Sequence, residues 1–335
     1  MKNILITGGA GFLGINISVK LLEKGYKVFV VDDLKNAYVS HVRLLQKNFP
    51  NLKFKKLDVC NSSQLEQVFK NEKFDTVIHL AARKYVGESF IKEKEYVFNN
   101  MKSLQNVLFL SKKYGAEHFA FASSITVYGN SEKEKLKESE KYAPVSPYAK
   151  TKQLGEEEIK IFAKENTNMT FTIFRFSNPV SANTKYMLGD DSKKHKFNLV
   201  SLVCKSAIEN KKLVLKGNNH DTKDGTPIRD YFHVEDLAEI VCNVLEKQKA
   251  HFDTINVGMS GNGFSVLQII NQTEAILNKK LDYCFGSKKP GDVAKNVCDN
   301  SHLLGEYGRH EFRDIKQILE DEIAFRKSIN EKSSK

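Results

Sequence analysis

Gly8, Gly11 and Gly14 stand at intervals of three between a short apolar run, Asn3–Ile6, and a stretch of helical periodicity, Phe12–Lys24. Few folds accommodate that arrangement. The first glycine permits a tight turn, the second lets the backbone approach a ligand, and the third lets the helix pack closely on the strand. The helix that follows offers unpaired N–H groups and the positive end of its dipole. A glycine pattern alone is weak, but a strand before it and a helix after it point to the opening of a βαβ unit and a parallel sheet.

The rest of the first half fits that start. Lys27–Val31, Leu52–Lys56, Asp75–Leu80, Glu117–Ala122 and Met169–Phe174 read as further strands, rich in Val, Ile and Phe. His41–Asn48, Ser62–Lys70, Glu88–Tyr114 and Pro147–Asn166 read as helices between them. The expected fold class is α/β: a Rossmann-type doubly wound parallel sheet, with a smaller interleaved α/β lobe. After about Asn178 the alternation loosens and Ala182–Lys196 is polar and irregular. Asn198–Glu209, Asp236–Lys247 and Ser265–Leu277 read as helices, and Leu213–Leu215, Thr254–Val257 and Leu281–Phe285 as strands. Residues 1–176, with about 233–257, are assigned to the sheet domain; 177–232 and 258–330 are assigned to the second lobe. Glu311–Lys327 is expected to be a surface helix and 331–335 a frayed tail.

Composition removes several classes of function. No apolar run reaches the roughly 18 residues that span a membrane, and Ile4–Ile6 is too short for a signal peptide. With no export signal, the Asn-x-Ser/Thr matches at Asn61, Asn168 and Asn271 count as chance. The five cysteines form no CxxC and are odd in number, which fits a reducing cytoplasm rather than a disulfide framework or zinc site. The net charge of +11 comes from lysine scattered over the whole length, with no aromatic-basic nucleic-acid module. Neither nucleic acid nor membrane is expected as a partner. An anionic small molecule and cofactor would benefit from the positive field.

Chemistry-bearing residues sit at the ends of the strands. Asp32-Asp33 closes the second strand 18 residues past Gly14. A carboxylate there binds the adenosine ribose hydroxyls and repels a 2′-phosphate, which favours NAD over NADP. An aspartate that merely starts a loop is a possible reading of Asp33, and a poorer one of Asp32. Asp58, in Leu57-Asp58-Val59, can accept from an adenine amino group, and a turn residue is an equally good reading. Leu80-Ala81-Ala82 is small, as needed where a cofactor lies against backbone, and Lys84 could neutralise a pyrophosphate, although nothing local proves it. Ser146 and Pro147 form a good helix start before Tyr148. Tyr148 and Lys152 share one helix face. A nearby ammonium and a positive nicotinamide would lower the tyrosine pKa from about 10. Ser124, at the end of the fifth strand, can share the proton of a substrate hydroxyl. A Tyr and Lys four apart occur often by chance; their order with Ser124 and the glycine turn is far more specific.

Together these residues resemble the extended short-chain dehydrogenase/reductase family, and within it the NAD-dependent epimerases of the UDP-glucose 4-epimerase type. The resemblance runs nearly end to end. It is carried also by His79–Ala82, Val86–Ser89, Asn99-Asn100, Ser123–Gly129, Phe176–Pro179, Asp224–Leu237, Asn256–Gly258 and Lys289–Asp292. It implies tightly bound NAD, held by Gly8, Gly11, Phe12, Leu13, Gly14, Asp32, Asp33, Asp58, Val59, Leu80, Ala81, Ala82, Lys84, Asn99 and Lys152. It implies Tyr148 as base, Lys152 on the nicotinamide ribose and Ser124 on the sugar 4-hydroxyl. Asn178, Asn198, Leu199, Arg229, Lys289, Asp292 and Asn296 would line a UDP-sugar site. A transient 4-keto sugar, and a homodimer paired through the helices of Glu88–Tyr114 and Tyr148, follow from the same likeness.

The chain departs from that family in three places. Lys289 stands where arginine is common, Lys216 where an aromatic often meets the uracil, and Asn296 where a tyrosine accompanies restriction to unacetylated hexoses. The shorter Asn296 suggests tolerance of N-acetylhexosamines, unless neighbouring side chains fill the space. Arg229-Asp230 also reads as a structural ion pair. Three alternatives stay open: a 4-epimerase of uronic acids, a nucleotide-sugar dehydratase or reductase, and a non-enzymatic dinucleotide sensor. Ile125-Thr126 lacks the Asp-Glu pair that elimination needs, and the intact Tyr148 and Lys152 weigh against a sensor.

Overall fold

In the first strand, Ile4 and Ile6 point into one hydrophobic core and Leu5 into another. A strand turns successive side chains to opposite faces, so an all-apolar strand must be covered on both. The computed structural model describes residues 2–194, 197–248, 250–288 and 291–333. The chain opens with β1 (Asn3–Thr7), α1 (Phe12–Glu23), β2 (Lys27–Asp32), α2 (Val39–Asn48), β3 (Leu52–Lys56), α3 (Ser62–Asn71) and β4 (Thr76–His79). It continues with α4 (Val86–Ile91), α5 (Glu93–Lys113), β5 (His118–Ser124), a 3-10 turn at Ile125–Tyr128, α6 (Pro147–Glu165) and β6 (Thr170–Phe176). Short strands follow: β7 (Asn178–Val180), β8 (Ala182–Asn183) and β9 (Leu188–Gly189). Then come α7 (Leu199–Glu209), β10 (Leu213–Lys216), β11 (Ile228–Arg229), β12 (Tyr231–His233), α8 (Val234–Lys247) and β13 (Phe252–Val257). The last elements are β14 (Phe264–Ser265), α9 (Val266–Leu277), β15 (Tyr283–Gly286), β16 (Lys295–Asn296), α10 (Ser301–Tyr307) and α11 (Ile315–Ser333).

The central sheet has the order β13-β6-β5-β4-β1-β2-β3, and every neighbouring pair is parallel. This is a Rossmann-type doubly wound sheet. One core packs it against α1 and α8, and the other against α3, α5 and α6. The winding reverses between β1 and β4, so the loops leaving these strands diverge and leave a crevice at their carboxyl ends. A third core, built from α7, α9, α11, β10 and β15, belongs to the smaller lobe. There β11 pairs with β16 in parallel register, setting Arg229 opposite Asn296.

Two sequence expectations need correction. The stretch Glu88–Tyr114 is not one helix but two, broken at Lys92, where φ is −123° and ψ is 39°. The buried Tyr96 hydroxyl accepts from the Tyr85 amide and donates to Glu88, which folds the short α4 back against α5. The last helix is not a surface helix. Ile315, Ile318, Leu319, Glu322 and Ile323 recur at three- and four-residue spacing and bury one face in the third core. That helix continues to Ser333, past the boundary at which fraying was expected, while residues 334–335 lie outside the described ones. No helix among the described residues is long and apolar enough to cross a membrane.

Candidate active site

A cleft of about 540 Å³ follows the carboxyl edge of the sheet from β2 to β6 and continues beneath the smaller lobe. At its floor, Gly8 sits at φ 68°, and a side chain there would come within 2.8 Å of the Ala81 amide nitrogen. A Cβ at Gly14 would lie 2.5 Å from the Gly9 Cα. Both positions therefore require glycine. Gly11 caps α1 with no side-chain bond, and the amides of Phe12, Leu13 and Gly14 have no backbone acceptor among the described residues. They form the open end of a helix dipole, a favourable place for an anion.

Asp32 accepts from the Ala10 amide at 3.2 Å and the Leu34 amide at 2.8 Å, so one carboxylate organises two loops. Burial raises its pKa against those bonds. Asp33 and Asp58 both pair with Lys35, each at 2.9 Å. Burial raises Asp58, but Lys35 and the Cys60 amide outweigh it and hold the carboxyl below its usual value. Val59, Leu80, Ala81, Ala82, Lys84 and Asn99 line the same half of the cleft.

Beyond this half, α6 begins as the sequence dictates. Ser146 accepts from the Ala149 amide at 3.2 Å and Pro147 occupies the first turn. Tyr148 therefore lines the cleft together with Ser124. Lys152 lies one turn on, its Nζ 5.9 Å from the Tyr148 ring centroid and donating to the Ala122 carbonyl at 2.6 Å. Burial pushes the Tyr148 phenol up to about 12, with the neighbouring Ser124 hydroxyl acting against that rise. The protein's own groups thus raise this pKa rather than lowering it as the motif alone suggested. Burial lowers Lys152 to about 8, and the Glu156 carboxylate opposes that fall. Glu156 is fully buried and bonded to Arg175, Ser123 and the Tyr142 hydroxyl. This ion pair fixes β5, β6 and α6 together directly beneath Ser124 and Lys152.

The far end of the cleft is lined by Asn178, Asn198, Arg229 and Asn296. Arg229 donates from NH2 to Asp292 at 2.5 Å and to the Val293 carbonyl at 2.7 Å. Its partner is Asp292, and not the neighbouring Asp230, which is buried against the Met259 and Ser260 amides. Asn198 caps α7 through the Ser201 amide and also donates to Asp190. Asn296 is 4% exposed, and its Oδ1 has no hydrogen-bond partner among the described residues.

Residues 4–258 match the NAD-dependent epimerase/dehydratase family. The chain belongs to that family. It is 34% identical to the UDP-glucose 4-epimerase of Caenorhabditis elegans over 95% of this chain and 96% of that protein. It superposes with a TM-score of 0.93 on the UDP-glucose 4-epimerase of Bifidobacterium longum in complex with NAD+ and UDP, at 31% identity, covering 97% and 98% of the two chains. The Stenotrophomonas maltophila UDP-glucose 4-epimerase, with bound NAD and formylated UDP-arabinopyranose, gives a TM-score of 0.93 at 27% identity, over 99% and 100%.

Most of the residues singled out from the sequence meet in the one cleft of this family member. Leu199 does not line it; as the first residue of α7 it packs against the third core. Asp292 reaches the site through Arg229. Lys289 lies outside the described residues. Sequence reasoning missed Lys35, Asn36, Tyr85 and Ser192. Asn36 and Tyr85 follow β2 and β4, where ligand-facing loops belong, so their position was available as a signal. Ser192 comes from the irregular stretch before α7, and no local pattern marks it. It donates to Asn36 at 2.7 Å and lies 3.0 Å from the Tyr85 hydroxyl, tying that stretch across the mouth of the cleft. Asp236, Glu239 and His310 bring ligand atoms within 4.8 Å of one another, but Arg313 pairs with both carboxylates and Lys20 with Glu239.

Proposed function

We propose that the protein is an NAD-dependent 4-epimerase of UDP-hexoses. The observation that carries this reading is the meeting of Tyr148, Ser124 and Lys152 where the cofactor half of the cleft joins the half lined by Arg229 and Asn296. The glycine floor, the open end of α1 and Asp32 fit a dinucleotide with an unphosphorylated ribose. Bound NAD supplies hydride acceptance and return at C4 of the sugar.

The chain's own residues do the rest. Ser124 and Tyr148 hold the 4-hydroxyl, and Tyr148 takes its proton and later gives it back. A phenol held at about 12 needs a nearby positive charge to act as a base at neutral pH, and Lys152 is the cation the chain places there. Arg229 grips the diphosphate through its planar fork. Anchoring the diphosphate leaves the hexose free to turn its other face to the cofactor as a 4-keto sugar, so binding energy sits away from the reacting ring.

The short Asn296 side chain in the cleft lining fits a second substrate class, the N-acetylhexosamines, because it takes less space than a tyrosine at that position would. The five free cysteines fit a reducing, cytoplasmic setting. A homodimer through α5 and α6 fits the exposed apolar side chains of Phe98, Phe109 and Ile161.

Purified protein, incubated without added NAD with UDP-glucose and separately with UDP-N-acetylglucosamine, tests both readings by NMR of the products. Each should give its 4-epimer. No product from either, even after NAD is supplied, overturns the hexose and hexosamine readings together.

A further inference from the structure

The Arg229 guanidinium is almost fully committed. NH1 donates to the Ile228 carbonyl at 2.7 Å and the Ala294 carbonyl at 3.5 Å, and NH2 to Asp292 and the Val293 carbonyl. Only its Nε–H has no acceptor among the described residues. A guanidinium grips phosphate bidentately through two adjacent N–H groups. Arg229 can present such a pair only by releasing Asp292, which frees an NH2 hydrogen beside Nε–H. A carboxylate set loose beside an incoming anion needs another partner.

That partner stands on the other side of Asp292. His220 follows β10, and its side chain is wholly buried. Neither ring nitrogen makes a hydrogen bond among the described residues. Its Nε2 lies 3.8 Å from Asp292 Oδ2, the oxygen turned away from Arg229. A buried imidazole with two idle nitrogens is expensive. Here a carboxylate shift of under about 1 Å would bring one of them into hydrogen-bond range.

We propose that His220 is a positioning residue for diphosphate recognition, receiving the Asp292 carboxylate that Arg229 gives up when it takes the diphosphate of a UDP-sugar. The inference rests on the activity proposed above. Before substrate binds, Asp292 neutralises Arg229. In the occupied site a phosphate oxygen neutralises Arg229, and His220 takes a proton from solvent to neutralise Asp292. Charge balances in both states.

The charged groups that face His220 among the described residues are Asp292, Lys288 and Arg229. Burial holds the free imidazole below its ordinary value; Asp292 opposes, and Lys288 and Arg229 add to the lowering. His220 is therefore neutral before binding at neutral pH. Approach of Asp292 and neutralisation of Arg229 both raise its pKa in the complex. Binding then takes up a proton, and affinity falls as pH rises between the free and bound values.

Calorimetric titration of the NAD-loaded protein with UDP-glucose, in two buffers of different ionisation enthalpy at neutral pH, measures that proton directly. UDP-glucose is a diphosphate diester with no titrating group near neutrality. The wild type should take up a proton. His220→Phe should take up none and show KM raised about tenfold, with kcat within about twofold. His220→Gln can still donate to Asp292, so it should keep wild-type KM while losing the proton uptake and the pH dependence. Binding without uptake in the wild type, or equal uptake in His220→Phe, overturns the role of His220 alone. Failure of UDP-glucose to bind at all overturns this inference and the activity reading together.

Discussion

Single side chains in this protein are read through the charge they are allowed to carry. His79 closes β4 under the cleft, bonded to Thr7 at 2.7 Å, and burial with the nearby Lys152 pushes it down to about 3. His118 opens β5 against Thr172 and is pushed down to about 4 by burial, with a smaller contribution from Lys2. Both are neutral when folded and would take a proton near pH 6.5 when unfolded. The unfolded chain binds more protons between about pH 6.5 and these lower values, so their stability contribution is present above 6.5 and lost as pH falls. Denaturant unfolding of the wild type should weaken progressively below pH 6.5. His118→Gln should show a smaller slope of unfolding free energy against pH between about 6.5 and 4. An unchanged slope would mean that His118 is not held neutral. Tyr148, Lys152 and Ser124 were legible in the sequence because they follow the glycine turn in a fixed order, at a strand end and on one helix face. His220 and Ser192 were not, because their neighbours Asp292 and Tyr85 are distant in the chain and meet them only in the fold.

At the level of elements, the buried Glu156–Arg175 pair joins α6 to β6, with Ser123 of β5 and Tyr142 bonded to the same carboxylate. Breaking one side of such a pair leaves an uncompensated buried charge. Glu156→Gln or Arg175→Met should each cost about 3–5 kcal/mol of unfolding free energy. The double replacement should cost clearly less than the sum, and a double-mutant cycle by chemical denaturation measures the difference. Full additivity would show that the two side chains do not act as a pair. Strands and helices of the first half could be read from alternation because the strands there, apart from the exposed edge strand β3, are covered on both faces. The helix α11 was misread because two of the residues on its buried face are Glu322 and Arg326. They are paired with each other, and Arg326 also donates to the Asp190 carbonyl. Composition suggests a solvated face there, and only the tertiary pairing shows an interior one. The break at Lys92 was hidden for a similar reason, since it depends on the Tyr96 hydroxyl reaching back to Tyr85.

For the whole molecule, the largest exposed apolar side chains on α5 and α6 are Phe98 at 68%, Ile161 at 62% and Phe109 at 59% exposure. They lie outside the cleft, on helices whose other faces cover the sheet. If they pair two copies, Phe98→Glu with Phe109→Glu should convert a dimer to a monomer in sedimentation velocity while NAD stays bound. A wild-type monomer at micromolar concentration would overturn the dimer. The route of the chain carries one more consequence. It leaves the sheet after Phe176, returns at Val234 to build α8 and β13, and leaves again after Val257. Three covalent strands therefore tie the smaller lobe to the sheet, and no single peptide can serve as a pivot between them. A body stitched at three points opens and shuts poorly, so recognition falls to side chains exchanging partners within a nearly fixed frame. For the same reason the smaller lobe cannot be lifted out as one continuous cassette and grafted onto another dinucleotide-binding sheet: any such exchange would have to be joined at three places at once.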